Sequence, residues 1–237
     1  MGGAASSPSL LPSPPPTRNR PSQTPASDSL PWIFVHAPQR APKDDDEGDL
    51  ESAKAAGASY LAKLAVVSGE TQVQRGQRAL RELHDIAQRH RVTCGKWMLL
   101  DFTDATVDAA WETIAAATER GELGHSSKVG TNDGCNSYLV CVYVPDFTDR
   151  ANVARVLRRL RELGFSWPLN FKTDFITHIG LYAYKKEKPQ NNPHKIRVSL
   201  YTSKEIEEWE LSIHHQFRNP FPICQNSPSA LLSEIMT

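Results

Sequence analysis

The sequence predicts an α+β domain in which helices cover one face of a mixed or mostly antiparallel sheet. Three observations lead there. "SYLVCVYVP" alternates, with Tyr138, Val140, Val142 and Val144 on one face and Leu139, Cys141 and Tyr143 on the other. Two long segments carry apolar residues at helical spacing: Val73, Leu80, Leu83 and Ile86, then Val153, Val156, Leu157 and Leu160. The tetrapeptide "DFTD" occurs at 101–104 and again at 146–149, each time between an apolar run and a helical pattern.

Taken in order, residues 1–30 are rich in Pro and Ser and poor in large apolar groups, which predicts a disordered tail. A single α+β domain is expected over 31–210. "PWIFVHAP" reads as a strand, the acidic stretch at 43–49 as a solvated loop, and 72–90 as a helix. "KWMLLD" is a strand, followed by a helix carrying Val107, Trp111, Ile114 and Thr118 and ending at Gly121. "SSKVG" is a short strand and "TNDG" a turn. After "SYLVCVYVP" the next helix stops at Gly164, and its arginines at 150, 155, 158, 159 and 161 read as a solvated outer face. "WPLNFKTDF", "ITHIGLYAY" and "KIRVSLY" are three further strand candidates, and 211–237 an irregular C-terminal tail.

Composition narrows the function classes. Lys+Arg and Asp+Glu balance at 27 each, so no global basic field argues for nucleic-acid binding, although a local basic groove stays open. The apolar runs are too short to cross a bilayer, and no basic stretch leads into an apolar core as in a secretory signal. Cys94, Cys135, Cys141 and Cys224 lack metal-ligand spacing, so no metal or other cofactor is expected. A reducing intracellular location is expected, the cytoplasm first and the nucleus second.

The four aspartates of the repeat could be an acid/base site or helix punctuation. With Thr103 as N-cap, Phe102 and Val107 form a hydrophobic staple and Asp104 lies in the first turn, where its charge suits the helix dipole. Thr148 and Asp149 take the same parts in the second copy. Capping accounts for the motif, and its expected role is structural.

Polar groups embedded in strands are the better candidates for chemistry. Lys96 starts a strand beside Trp97; Lys128 adjoins Val129, with His125 nearby; Tyr143, Lys172, His178, Tyr182, Tyr184 and Lys185 fall on later strands. A cation near an aromatic ring on a sheet face can grip a phosphate or a base. Taken singly, each lysine reads as a strand-end residue that snorkels and discourages aggregation. His178, in phase with Ile176, Gly180 and Tyr182, reads as a half-buried strand residue. Trp97 and Trp111 read as core, while Trp32 and Trp167, each beside a proline, are exposed clamps or packed ends. No phosphate-binding glycine loop, dinucleotide fingerprint, nucleophile elbow or zinc motif is present.

"CGKWMLL", "WETIAAATERGELGHSSKVG", "VCVYVPDFTDRANVARVLRRLRELG" and "NFKTDFITHIGLY" together resemble the basophilic-leukemia-expressed-protein family, in order, over roughly residues 85–185. The resemblance implies a fold similar to the cap-binding translation initiation factor: a curved, mostly antiparallel sheet backed by helices. The two tryptophans that sandwich the methylated guanine in that factor have no matched positions here, so cap binding follows only from fold analogy. That family has also been likened to bacterial phosphothreonine lyases. By that likeness Lys128 matches the proton-abstracting lysine, Lys96 a phosphate-contacting lysine and Tyr143 a tyrosine of the following strand. Lys185 falls near a phosphate-binding arginine. Met98 occupies the place of the acid histidine, and a thioether donates no proton; His125 or His178 would have to replace it. Losing a general acid typically costs about 10²–10⁴-fold in rate. The expected function is therefore binding of a phosphate-bearing ligand, RNA or a nucleotide, through Lys96, Lys128, Tyr143 and Lys185. A phosphothreonine lyase-like enzyme acting on a phosphoprotein, or a protein-binding scaffold, is the alternative.

Overall fold

A computed structural model describes residues 19–38, 48–183 and 192–218, with side chains through Ile213. Six strands form one sheet: β1 (Trp32–His36), β2 (Gly95–Phe102), β3 (Ser126–Gly130), β4 (Tyr138–Val144), β5 (Asn170–Thr173) and β6 (Tyr201–Thr202). Their order is β1-β3-β4-β2-β5-β6, and every neighbouring pair is antiparallel. The sheet is curved, and its register slips between Leu99 and Phe102 of β2. Among the described residues six α-helices accompany it: α1 (Leu50–Ala62), α2 (Gln72–Arg89), α3 (Val107–Glu119), α4 (Arg150–Glu162), α5 (Asp174–His178) and α6 (Ser203–Arg218).

Register assigns each residue to a face. Ser127, Val142, Trp97 and Phe171 are cross-strand neighbours, so they share one side of the sheet. Three hydrogen bonds put three helices on that side. The Trp97 indole donates to Val153 O of α4 (3.1 Å), Thr118 of α3 meets Ser127 hydroxyl to hydroxyl (2.7 Å), and His84 of α2 meets Thr173 (3.1 Å). The core lies between, filled by Trp97, Leu99, Val129, Val140, Val142, Val144 and Phe171 against Leu83, Ile86, Trp111, Ile114, Val156, Leu157 and Leu160. Trp97 and Trp111 are core, as their helical and strand phase predicts. His84 is neutral there, its imidazole pushed down to about 4 by burial.

The predicted elements from 72 to 173 form, and α3 and α4 end before Gly121 and Gly164, whose φ of +71° and +96° suits residues without a Cβ. Elsewhere the molecule differs from the sequence expectations, for physical reasons. Helix α1 carries no large apolar stripe; only Ala53 and Gly57 are buried, because the Phe175 ring sits where a Cβ on Gly57 would be. "ITHIGLYAY" is not a strand. Asp174–His178 turns into α5, burying Phe175 and Ile176, so His178 is an exposed helix-end residue rather than a strand one. Most of "KIRVSLY" does not pair either. The Asn192 side chain takes both the N–H (2.8 Å) and the C=O (2.6 Å) of Ile196, and only Tyr201–Thr202 joins the sheet.

Against the expected disorder to 30, residues 21–30 hold a 3-10 turn at Pro21–Gln23 and bridges Pro25–Asn132 and Ser27–Leu30; residues 1–18 lie outside the described residues. Ser22 is the anchor, its N–H and hydroxyl both donating to the Asp108 carboxylate of α3 (3.1 and 2.6 Å). Most of the acidic loop at 43–49 also lies outside the described residues, but Asp49 caps α1 through Ser52 N (2.9 Å). At the C-terminus α6 runs through 218 where irregular chain is expected. The α4 arginines secure it and are not merely solvated: Arg158 pairs with Glu210, Arg161 with Glu207, and Arg150 stacks on Tyr201 and Trp209.

Both DFTD copies act locally, one residue or more away from the expected positions. In the first, the chain turns once more before α3 starts, so Thr106 is the N-cap and Thr103 O receives the N–H of Val107 (2.9 Å). Asp104 instead accepts the Tyr138 hydroxyl (2.5 Å). In the second, Asp149 caps α4 through Asn152 N (3.0 Å), and Asp146 binds the N–H and hydroxyl of Thr148.

Candidate functional site

The face of the sheet opposite these helices carries two cross-strand rows. One runs His36, Ser126, Tyr143, Lys96, Lys172 over β1, β3, β4, β2 and β5; the next runs Phe34, Lys128, Cys141, Met98, Asn170 over the same strands. Period-two alternation produces this. Trp97 and Phe171 must face the core, so Lys96 and Lys172 must face away from it. Three of the four sequence-predicted site residues, Lys96, Lys128 and Tyr143, therefore meet on one patch. Lys185 and Tyr184 lie outside the described residues.

Tyr143 is the centre of the patch. Its ring has the Lys96 ammonium 5.4 Å from the centroid and that of Lys128 5.5 Å away. Lys128 also lies 4.2 Å from the Trp32 ring and 5.7 Å from Phe34. Trp32 is thus half-buried under a cation, whereas Trp167 is a packed end against Phe102 and Phe165. Lys172 donates to Leu181 O (2.8 Å) and lies 4.5 Å from the Tyr182 ring.

Lys96 and Lys172 are 7% and 5% exposed, an unusual depth for lysine. One carboxylate answers them: Asp174, the first residue of α5, pairs with Lys96, and Thr177 lies 3.5 Å from the same nitrogen. The Asp174 N–H donates to Cys94 O (2.9 Å), which ties α5 to the start of β2. Burial lowers the Lys172 ammonium to about 8, with Lys96 adding to the effect and Asp174 opposing it. Burial likewise holds Lys128 below the usual lysine range, with Cys141 opposing and Lys96 adding to the shift. The same desolvation pushes the Tyr143 phenol up and the Cys141 thiol up to about 11, so both are neutral near pH 7.

Met98 lies two residues along β2 from Lys96, on the patch, beside Cys141 and Asn170. His178 is exposed at the end of α5. His125 is nearer: its ring is 6.0 Å from Tyr143, burial lowers its pKa, and its Nδ1 has no hydrogen-bond partner among the described residues. Gly124 sets that position, since a Cβ there would fall 1.6 Å from Tyr143 O. No group of three or more His, Cys, Asp or Glu able to hold a metal occurs among the described residues, and none of their helices is long and apolar enough to cross a membrane.

Sequence reasoning names Lys172 among the strand polar residues but leaves it out of the final set, and it misses Phe34 and Asp174. Lys172 is recoverable from its phase against Phe171. Asp174 is not, because its approach to Lys96 depends on α5, which the sequence disguises as a strand.

Among solved structures the chain is similar to Ascaris suum eIF4E-3, determined as a complex with an m2,2,7G cap. Identity is 13%, coverage 60% of this chain and 87% of that one, and the TM-score 0.30. The family model described as basophilic leukemia-expressed protein Bles03 matches residues 17–180, a stretch that includes Lys96, Lys128, Tyr143, Lys172 and Asp174. The chain belongs to the Bles03 family of basophilic leukemia-expressed proteins.

Proposed function

We propose that this patch binds the phosphate of a phosphate-bearing ligand, held by Lys96, Lys128 and Lys172 around Tyr143. A nucleotide and an RNA chain present the same phosphate-ester chemistry. The carrying observation is a charge imbalance among the described residues: three lysines, two of them almost wholly buried, face one carboxylate. Buried charge is costly unless paired, and an incoming dianion would pair it. Aromatic edges and faces around the amines exclude water and strengthen that attraction.

A second reading, a phosphothreonine lyase-like enzyme, has one observation in its favour. Burial makes Lys128 easier to deprotonate, as a proton-abstracting base requires. Against it stands Met98, whose thioether cannot protonate a leaving phosphate, with His125 the nearest substitute.

One experiment separates the two. A phosphothreonine peptide is incubated with the wild type, Lys128→Met and Met98→His, and product masses are read. Binding without chemistry predicts no dehydrated product from the wild type. Loss of phosphate that disappears in Lys128→Met and increases in Met98→His would establish the lyase and overturn the binding reading. In parallel, pyrophosphate titrated by calorimetry should bind the wild type and bind Lys96→Met/Lys128→Met more weakly; absence of any binding to the wild type would refute the proposal.

A further inference from the structure

The lysine patch is not symmetrical. Toward β5 it is closed by Leu181 and Tyr182 over Lys172. Toward β1 it opens onto Phe34, which is 53% exposed although it lies on the row of Lys128 and Cys141. A large exposed aromatic on an edge strand is costly in water and calls for a reason. The His36 ring lies parallel to it, 4° between planes and 6.4 Å between centroids. Beside these two rings, Lys128 is shared between Phe34, Trp32 and Tyr143.

Resting on the proposed phosphate site, we infer that the ligand is a nucleoside phosphate, with its base stacked on Phe34 at the β1 edge and its phosphate over Tyr143 between Lys128 and Lys96. Stacking on an exposed aromatic suits any base, because every base offers a π face. The geometry fits in length. From β1 across β3 to β4 is two strand spacings, roughly 10 Å, a span that a base, ribose and 5′-phosphate can bridge. The chemistry fits as well: lysines cluster on β2 and β3 around Tyr143 of β4, and aromatic rings at the β1 end. The ligand thus has a defined direction on the sheet.

The test titrates adenosine 5′-monophosphate, ribose 5-phosphate and inorganic phosphate into the full chain and its Phe34→Ala variant, a surface change that leaves the core intact. Base stacking predicts that the nucleotide binds the wild type roughly tenfold more tightly than ribose 5-phosphate. Phe34→Ala should remove that difference while affinity for ribose 5-phosphate stays the same. Equal binding of nucleotide and sugar phosphate in the wild type would overturn the inference and leave the phosphate site standing. Failure of all three probes to bind would remove both. Size-exclusion chromatography of the two proteins covers the other use of an exposed edge: a dimer that Phe34→Ala dissociates, with nucleotide affinity unchanged, would assign Phe34 to self-association and overturn the inference.

Discussion

Lys96 and Lys128 stand on different strands, yet both ammonium groups approach the ring of Tyr143, at 5.4 and 5.5 Å from its centroid. The sheet order makes this possible, because β4 lies between β3 and β2 and carries Tyr143 between them. Two cations held near one ring repel each other, and the arrangement is relieved by any anion placed between them.

Acid–base behaviour follows from the burial of these amines, to which their mutual repulsion adds. Lys172 titrates near 8 in the folded protein, against an ordinary 10.5. A lowered folded value means that the ammonium is lost as pH rises through about 8, so phosphate loses one partner. Affinity for pyrophosphate should fall between pH 7 and pH 9, well before ordinary lysines deprotonate. The ligand-free protein shows the opposite trend from this group. Between about 8 and 10.5 the unfolded chain binds more protons, so stability rises with pH across that window. Calorimetric titration at the two pH values checks the first claim; equal affinities would contradict it.

On the proposed reading, Asp174, which pairs with Lys96, competes with the ligand for it. Asp174→Asn keeps a hydrogen-bond acceptor and removes the charge. One unit charge at about 5 Å, with an effective dielectric of about 20–80, changes binding by roughly 1–3 kcal/mol. Pyrophosphate affinity should therefore rise by about tenfold. A loss of affinity in a variant with an unchanged melting curve would show that Asp174 positions Lys96 for the anion rather than competing with it.

Capping in the second DFTD copy is separable from the site. Asp149→Ala removes the acceptor for Asn152 N and should cost about 1 kcal/mol of stability. Ligand affinity of the folded protein should not change. A weakened affinity with full stability would mean that the motif reaches the ligand.

Much of this was legible in the residues because period-two phase is unforgiving: with Trp97 in the core, Lys96 has one side left. Lys128 and Tyr143 follow by the same reasoning. The repeat's structural role was legible too, but its registration was not, since Thr103 and Thr106 are equally good caps and only the turn at 103–106 chooses between them. Helix α1 was hidden because its buried face is Ala and Gly. Helix α5 was hidden because five residues are too few to show a helical period, and its Phe and Ile suit a strand equally well.

The N-terminal strap makes a further prediction. Ahead of β1, residues 19–31 are tied down where Ser22 meets Asp108 and where Asn132 bonds the backbone of Ser22 and Thr24. Limited proteolysis of the wild type should spare 20–36. In Asp108→Ala, cleavage should extend into 20–30. Early cutting within 20–36 of the wild type, or an unchanged cleavage pattern in Asp108→Ala, would contradict the anchoring role.

The central claim, that buried lysines form an anion grip, is tested most directly by the salt dependence of pyrophosphate binding. The wild type, Lys128→Met and Lys96→Met/Lys128→Met are compared from low to high NaCl, with thermal melts to establish that each variant is folded. Screening acts on the coulombic part alone. The account predicts that wild-type affinity falls steeply with salt, and that each lysine removed lowers the affinity and flattens the slope. A folded double variant that binds pyrophosphate with wild-type affinity and wild-type salt slope would contradict it.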